Sequence, residues 1–203
     1  FVTLDGRGLA DLVPGSKVGT SSLRRKAQLI LRQPGLEVVE FRGNVQTRMA
    51  KLRDGVAHAT FLAMAGLNRL GLADVPRTAM DADAMLPAIA QGAIGIERRA
   101  DNHRMADILA MIHDRDTGLR VEAERAFLRT LDGSCETPIA GLAVLDGGTL
   151  RLRGEILRPD GSDVLEEAGE APAEDGAALG DALARKLLER APDGFFDWRE
   201  TVS

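Results

Sequence analysis

The chain has 203 residues, a net charge of −5, 44% hydrophobic residues and a single cysteine. These totals favour an ordinary globular protein with an ample core, and they exclude a general nucleic-acid binder and an internal disulfide framework. The apolar runs are too short to span a bilayer, no signal segment opens the chain, and one thiol suits a reducing compartment. The sequence therefore predicts a cytoplasmic protein without nucleic-acid or membrane partners. Because the chain starts at Phe1 and not at a methionine, we expect a piece or processed product of a longer protein.

The positive charge is concentrated in one segment. Residues 18–72 carry nine Lys and Arg and three acids, a local charge of +6, whereas the remainder carries −11. A basic segment within an acidic chain favours a small polyanionic ligand.

The first 86 residues alternate short strands with helices. Residues 1–17 are predicted to be a lead-in, and the elements that follow are strand 17–20, helix 22–33, strand 36–41, a helix capped by Asn44, strand 57–63 and a short helix at 66–70. The predicted apolar face of the first helix is Leu23, Ala27, Ile30 and Leu31. This alternation predicts a parallel sheet, and ligands of such sheets bind beyond the carboxyl ends of the strands.

Two turns at that edge favour an anion pocket. The first runs from Val18 to Arg25 and opens a helix that Ser21 or Ser22 can cap, so that backbone N–H groups point outward. Two arginines in a first helical turn oppose the helix dipole, which makes sense if an anion lies between them. The second turn, Phe41 to Asn44, repeats the pattern, with Arg48 one helical turn on. We interpret the two turns as walls of one pocket; a solvated basic turn is the simpler alternative.

The rest of the chain has a different pattern. Residues 93–97 have the pattern of a strand for which the chain offers no partner, and helices are predicted at 102–112 and 117–131. Three strands at 139–145, 149–158 and 163–169 are separated by turn residues and followed by a helix at 176–190. This pattern predicts an antiparallel sheet with helices on one face.

Cys135 lies in a predicted loop between strand and helix. A cysteine flanked by small and polar residues is favoured to be exposed, so it could be a nucleophile or a covalent attachment point. None of the three histidines is paired with it by motif, and one cysteine gives no zinc spacing. A phosphate-binding loop of the Walker type and a dinucleotide fingerprint are both absent from the sequence.

Several motifs in a fixed order resemble one family. They are Val18 to Arg25, Leu36 to Val45, Ala65 to Leu72, Leu86 to Gly92, and Glu124 to Leu128 leading to Gly133-Ser134-Cys135 and Pro138. Together they resemble porphobilinogen deaminase, also called hydroxymethylbilane synthase, from about Leu12 to about Leu188.

The resemblance implies a transferase of haem biosynthesis. The family joins four porphobilinogen units head to tail into hydroxymethylbilane, with release of ammonia, on a dipyrromethane cofactor held by a thioether to a cysteine that matches Cys135. The implied cofactor-binding residues are Cys135, Thr20, Ser21, Ser22, Arg24, Arg25, Arg42, Gly43, Asn44 and Gln91. Arg48 and Arg69 match residues that handle the substrate or the growing chain. This agrees with the anion pocket, because the pyrrole side chains are carboxylates and arginine binds carboxylates in bidentate fashion.

Two departures from the family pattern affect these expectations. The family usually has Gly-Gly-Cys at the attachment loop, where this chain has Ser134. The family also has about a hundred residues before the position of Phe1, including the catalytic aspartate, so no catalytic residue is assigned here and the chain alone is expected to be inactive.

The resemblance also implies a domain division. Residues 1–86 would form an α/β domain of periplasmic-binding-protein type, 87–112 a crossing segment that belongs to a first domain, and 113–203 a small α+β domain that carries Cys135. The full-length protein is expected to be a monomer. The alternative function is a non-enzymatic anion-binding module of the periplasmic-binding-protein type, which would have no need of Cys135.

Overall fold

Two separate sheets organise the chain. The computed structural model describes residues 1–133 and 137–198. One sheet has four short strands in the order β1-β4-β2-β3, and the other has three long strands in the order β5-β6-β7. The elements in chain order are β1 Val2–Thr3, β2 Lys17–Gly19, α1 Leu23–Arg32, β3 Glu37–Val39, α2 Val45–Arg53, β4 Ala59–Thr60, α3 Met64–Arg69, α4 His103–Ala110, α5 Arg115–Thr130, β5 Ile139–Asp146, β6 Thr149–Leu157, β7 Val164–Pro172 and α6 Gly176–Arg190.

The first sheet confirms the predicted parallel arrangement of β2, β3 and β4. The prediction of a lead-in over residues 1–17 is wrong, because β1 pairs antiparallel with β4 and Val2 is completely buried. Two residues are too few to show a strand period, and their partners lie almost sixty residues further along the chain. Sequence periodicity therefore offered no signal for this strand.

The strands β3 and β4 are shorter than predicted. Each of the predicted ranges includes a buried phenylalanine, Phe41 or Phe61, which packs in the core outside the hydrogen-bonded ladder. A Cβ atom on Gly19 would lie 2.4 Å from the ring of Phe41. The glycine at the end of β2 therefore lets the turn after β3 pack directly against it.

The second sheet confirms the prediction of three antiparallel strands. The helices α5 and α6 cover one face, and the core between them contains Phe127, Leu152, Ile156 and Leu183, each at most 1% exposed. The β5–β6 turn consists of Gly147 and Gly148, both with positive φ, as a two-residue hairpin turn with matching twist requires. The predicted bounds of α6 agree with the structure.

The connection between the two sheets is exposed. Residues 91–100 contain no regular element, and α4 has no buried residue. The strand-like pattern of residues 93–97 does not produce a strand, since the segment joins neither sheet. Within the part of the chain that the structure describes, no helix combines the length and the apolar character that a membrane span requires.

Candidate anion-binding cleft

The turn after β2 is held by its own hydroxyl groups. The backbone N–H of Thr20 donates to the Val39 carbonyl at 3.0 Å, which extends the contact between β2 and β3 by one residue. Thr20 Oγ1 accepts from the N–H of Ser22 at 3.2 Å, and Ser22 Oγ accepts from the N–H of Arg25 at 3.4 Å. Ser22 is therefore the N-cap of α1, and the preceding Ser21 remains exposed.

Arg24 is a buried cation. The residue is only 6% exposed. Its Nη1 donates to Gln28 Oε1 at 2.8 Å and to the Leu86 carbonyl at 2.6 Å. Its Nη2 donates to Gln91 Oε1 at 3.5 Å. Burial, reinforced by the neighbouring Arg25, lowers the pKa of Arg24 to about 10. The guanidinium is thus still charged at neutral pH, but it is held by uncharged acceptors.

Arg25 and Arg48 both contact Phe61, Arg25 at the aromatic ring and Arg48 at the backbone carbonyl. The Arg25 guanidinium lies 5.1 Å from the centre of that ring. Arg48 Nη1 donates to the Phe61 carbonyl at 3.4 Å, and its Nε donates to the Gly43 carbonyl at 2.9 Å. Burial and the positive charge of Arg48 both lower the pKa of Arg25. Because two cations repel each other here in a partly desolvated place, an anion bound between them would stabilise both.

The second predicted turn, Phe41 to Asn44, borders the cleft with its backbone, whereas the side chain of Arg42 lies outside it. Gly43 has a φ of 125°, and a Cβ there would lie 2.7 Å from Thr47, so the turn requires glycine. Asn44 caps α2 by accepting from the N–H of Thr47 at 2.9 Å. The Arg42 side chain is 78% exposed and pairs with Glu40. The structure therefore brings Arg24, Arg25 and Arg48 together and leaves the Arg42 guanidinium outside this group.

Gln91 reaches the cleft from the segment that follows the first sheet. Its Oε1 accepts from the Ala88 N–H at 3.1 Å as well as from Arg24. The adjoining Ala90 N–H donates at 2.6 Å to the buried carboxylate of Glu124 on α5, which also accepts from the Ala143 N–H at 2.8 Å. Glu124 thus ties the Gln91 loop to the second sheet.

Two predicted residues remain to be placed. Arg69 is exposed in the last turn of α3. Cys135 falls outside the described residues.

Sequence reasoning missed Gln28, Phe61 and Glu155. The predicted apolar face of α1 is wrong in part, because the helix buries Arg24 and Gln28 and leaves Leu23 partly exposed. The reason is a second packing partner: α1 also contacts β6, which presents the buried Glu155 to it. A glutamine one turn after Arg24 was the available signal, since that spacing puts both side chains on one face.

The fold and the site define a two-part α/β and α+β protein with an arginine-lined cleft at the edge of its parallel sheet. The chain belongs to the porphobilinogen deaminase family. A family model described as porphobilinogen deaminase, dipyromethane cofactor binding domain, matches residues 1–107, and one described as porphobilinogen deaminase, C-terminal domain, matches residues 118–189.

Three relatives show the extent of the similarity. The porphobilinogen deaminase of Paracoccus denitrificans (strain Pd 1222) is 63% identical over 198 residues, which cover 98% of this chain and 63% of the relative. The chloroplastic enzyme of Pisum sativum is 49% identical over 201 residues, covering 97% and 54%. The enzyme of Nitrobacter hamburgensis is 47% identical over 196 residues, covering 97% and 62%. The chain therefore spans between 54 and 63% of the length of these curated relatives.

Proposed function

We propose that the chain acts in porphobilinogen deaminase, which condenses four porphobilinogen molecules head to tail into hydroxymethylbilane with release of ammonia. The observation that carries this proposal is that both family models match while the cleft gathers three arginines at one sheet edge. A non-enzymatic anion-binding module is not favoured, because the similarity extends through the second sheet as well.

The donor set of the cleft fits a dipyrromethane. The acetate and propionate groups of this cofactor are carboxylates, and Arg24, Arg25 and Arg48 supply planar N–H donors that match them. Thr20 and Ser22 form the adjoining turn. When bound, the cofactor supplies the covalent starting point to which porphobilinogen units are added. The residues of this chain would hold and orient it and would neutralise the charges of its side chains.

Cys135 is proposed as the attachment point of the cofactor. The described residues on the N-terminal side of its loop are tightly packed: a Cβ on Gly133 would lie 2.4 Å from Leu128 and 2.6 Å from Ile139. Gly133, the last described residue before Cys135, is therefore packed between α5 and β5.

The finer assignments are also proposals. Residues 1–86 would form a domain of periplasmic-binding-protein type, 87–112 would cross to another domain, and 113–203 would carry the attachment loop. Arg42, Gly43, Asn44 and Gln91 would border the cofactor, and Arg48 and Arg69 would bind the substrate or growing chain. No acid–base residue is assigned to this chain, and the protein is proposed to be a cytoplasmic monomer.

Intact-mass spectrometry of the active protein, purified from cells, tests the attachment. We expect the chain to carry the added mass of a dipyrromethane and the Cys135→Ser variant to lack it. An unmodified Cys135 in protein that converts porphobilinogen would refute the assignment. A separate activity assay should find that the 203-residue chain alone does not convert porphobilinogen.

The cleft is tested by charge-conserving substitutions. Arg25→Lys should weaken porphobilinogen binding about tenfold, because lysine lacks the bidentate fork and the stacking surface of arginine. Arg53→Lys, an exposed residue at the end of α2, is the matched control and should leave affinity unchanged. Isothermal titration calorimetry measures both, and equal affinities would show that the Arg25 turn is merely solvated.

A further inference from the structure

A buried carboxylate of the second sheet contacts the helix that carries the cleft arginines. Glu155 lies in β6 and is completely inaccessible to solvent. Its Oε1 accepts from Gln28 Nε2 at 2.5 Å, and its Oε2 accepts from Arg32 Nη2 at 2.9 Å. Both partners belong to α1, so this single carboxylate joins the second sheet to the helix that follows β2 of the first sheet.

Gln28 continues the contact to Arg24. Its Nε2 donates to Glu155 and also to the Leu86 carbonyl at 3.0 Å, and its Oε1 accepts from Arg24 Nη1. Because Glu155 and Leu86 both present acceptors, the amide group has only one orientation that satisfies them, and its oxygen must face Arg24.

The hydrogen bonds from Glu155 through Gln28 to Arg24, called the relay below, occupy one end of the Arg24 guanidinium. Arg24 Nη1 donates one proton to Gln28 and the other to the Leu86 carbonyl, so both of its protons are used. Of the five N–H donors of a guanidinium, Nε and the Nη2 proton that is not directed at Gln91 are left to offer to a ligand. Fixing Nη1 therefore fixes the plane and the direction in which Arg24 presents its donors.

We propose that Glu155 is a positioning residue of the anion cleft, which acts through Gln28 to orient the Arg24 guanidinium toward a bound carboxylate. This inference rests on the proposed function of the cleft. It makes the three-stranded sheet part of the carboxylate site through its central strand β6, independently of the attachment loop.

A carboxylate suits this position better than an amide. Two donors, Gln28 Nε2 and Arg32 Nη2, face Glu155 from the same helix. A glutamine would turn its own N–H₂ toward one of them, and two donors would then oppose each other in a buried place. Glu166, the cross-strand partner of Glu155 on β7, lies 3.9 Å from Arg32, and its pKa is raised by burial and by the neighbouring Glu155 carboxylate. The exposed pair of Arg153 and Asp83 is the other charged group near this contact.

A positioning role of Glu155 and a purely electrostatic role predict opposite changes in anion affinity when the carboxylate is removed. If Glu155 acted only as a negative charge near the cleft, its removal would increase the attraction for an anion. If it orients Arg24 through Gln28, its removal leaves the guanidinium free to turn and weakens carboxylate binding. Gln28→Met also removes the hydrogen bonds that link Glu155 to Arg24, and it does so without changing any charge.

Calorimetric titration with porphobilinogen distinguishes these possibilities. We expect Glu155→Gln and Gln28→Met each to weaken binding about tenfold, equivalent to about 1.4 kcal/mol. The double variant should lose no more than either single variant, because both changes break one relay. Glu170→Gln is the matched control, since it removes the same charge from an exposed position on the neighbouring strand, and it should leave affinity unchanged.

Other outcomes overturn the proposal. Tighter binding by Glu155→Gln, unchanged binding by Gln28→Met, or additive losses in the double variant would each exclude the relay. If Glu155→Gln does not fold, Gln28→Met alone decides the matter. Weaker binding by Arg25→Lys with full binding by Gln28→Met would refute the relay and keep the cleft, whereas no binding by the unaltered chain would refute both.

Discussion

The second sheet buries its apolar side chains, whereas the segment at residues 91–112 exposes its apolar side chains to solvent. Phe127, Leu152 and Ile156 are completely buried between the sheet and its two helices, whereas Ile94 is 94% and Met111 85% exposed. Both regions have apolar residues at spacings that predict regular elements. The difference shows that an apolar pattern produces a buried element only where a complementary surface is present.

The second sheet has that surface because its elements are long and closely packed. Its strands have eight or nine residues, and α5 and α6 have 16 and 15. The first sheet has strands of only two or three residues. The exposed apolar side chains at 91–112 are compatible with the proposal that this segment crosses to another domain.

The largest expected effect is the loss of stability when a core side chain is truncated. Leu152→Ala should lower the free energy of unfolding by about 3 kcal/mol, because it leaves a cavity among completely buried neighbours. Ile94→Ala, the same kind of change in the exposed segment, should change it by less than about 0.5 kcal/mol. Urea unfolding followed by the fluorescence of Trp198, the only tryptophan, reports on this core. Similar losses in both variants would show that residues 91–112 are buried after all.

The next effect concerns the closest approach of two helices. A Cβ on Gly180 would lie 2.2 Å from the Ala123 carbonyl oxygen and 3.0 Å from the Phe127 nitrogen. Because both are backbone atoms, Gly180→Ala can be accommodated only if α5 and α6 move apart. We expect a loss of about 2 kcal/mol despite the higher helix propensity of alanine.

Gly95→Ala is the control for the helix contact. A Cβ on Gly95 would meet nothing within 4 Å, so its urea midpoint should match that of the unaltered chain. A Gly180→Ala variant as stable as Gly95→Ala would contradict the close helix contact.

The smallest expected effect is at Glu124, which joins the two regions. Burial raises the pKa of Glu124, against the opposing influence of its hydrogen bonds from Ala143 and Ala90. The folded chain therefore holds this proton more tightly than the unfolded chain does. The resulting stabilisation is complete below the ordinary pKa of glutamate and declines as the pH rises through the raised pKa.

Replacing Glu124 with glutamine removes this titration. We expect Glu124→Gln to gain stability relative to the unaltered chain as the pH rises from 4 to 7, measured by urea unfolding at each pH. A constant difference between the two proteins across this range would show that the carboxyl pKa is not raised by folding.

Local sequence signals determined most of the elements and the outline of the cleft. Caps, glycine turns and apolar periods placed α1, α2, α5, α6 and the three long strands, because these signals act between residues a few positions apart. The Ser22 cap and the Asn44 cap were both predictable from residue type. The family resemblance was carried by the same motifs, in particular Val18 to Arg25.

Only the tertiary structure decided which polar side chains are buried and which apolar ones are exposed. The burial of Arg24 and Gln28 depends on β6, which begins more than a hundred residues further along the chain and supplies Glu155. The pairing of β1 with β4 and the absence of a strand at residues 93–97 likewise depend on whether a distant partner lies alongside. A local pattern records what a residue prefers, whereas its final environment is set by the surfaces that the whole fold brings against it.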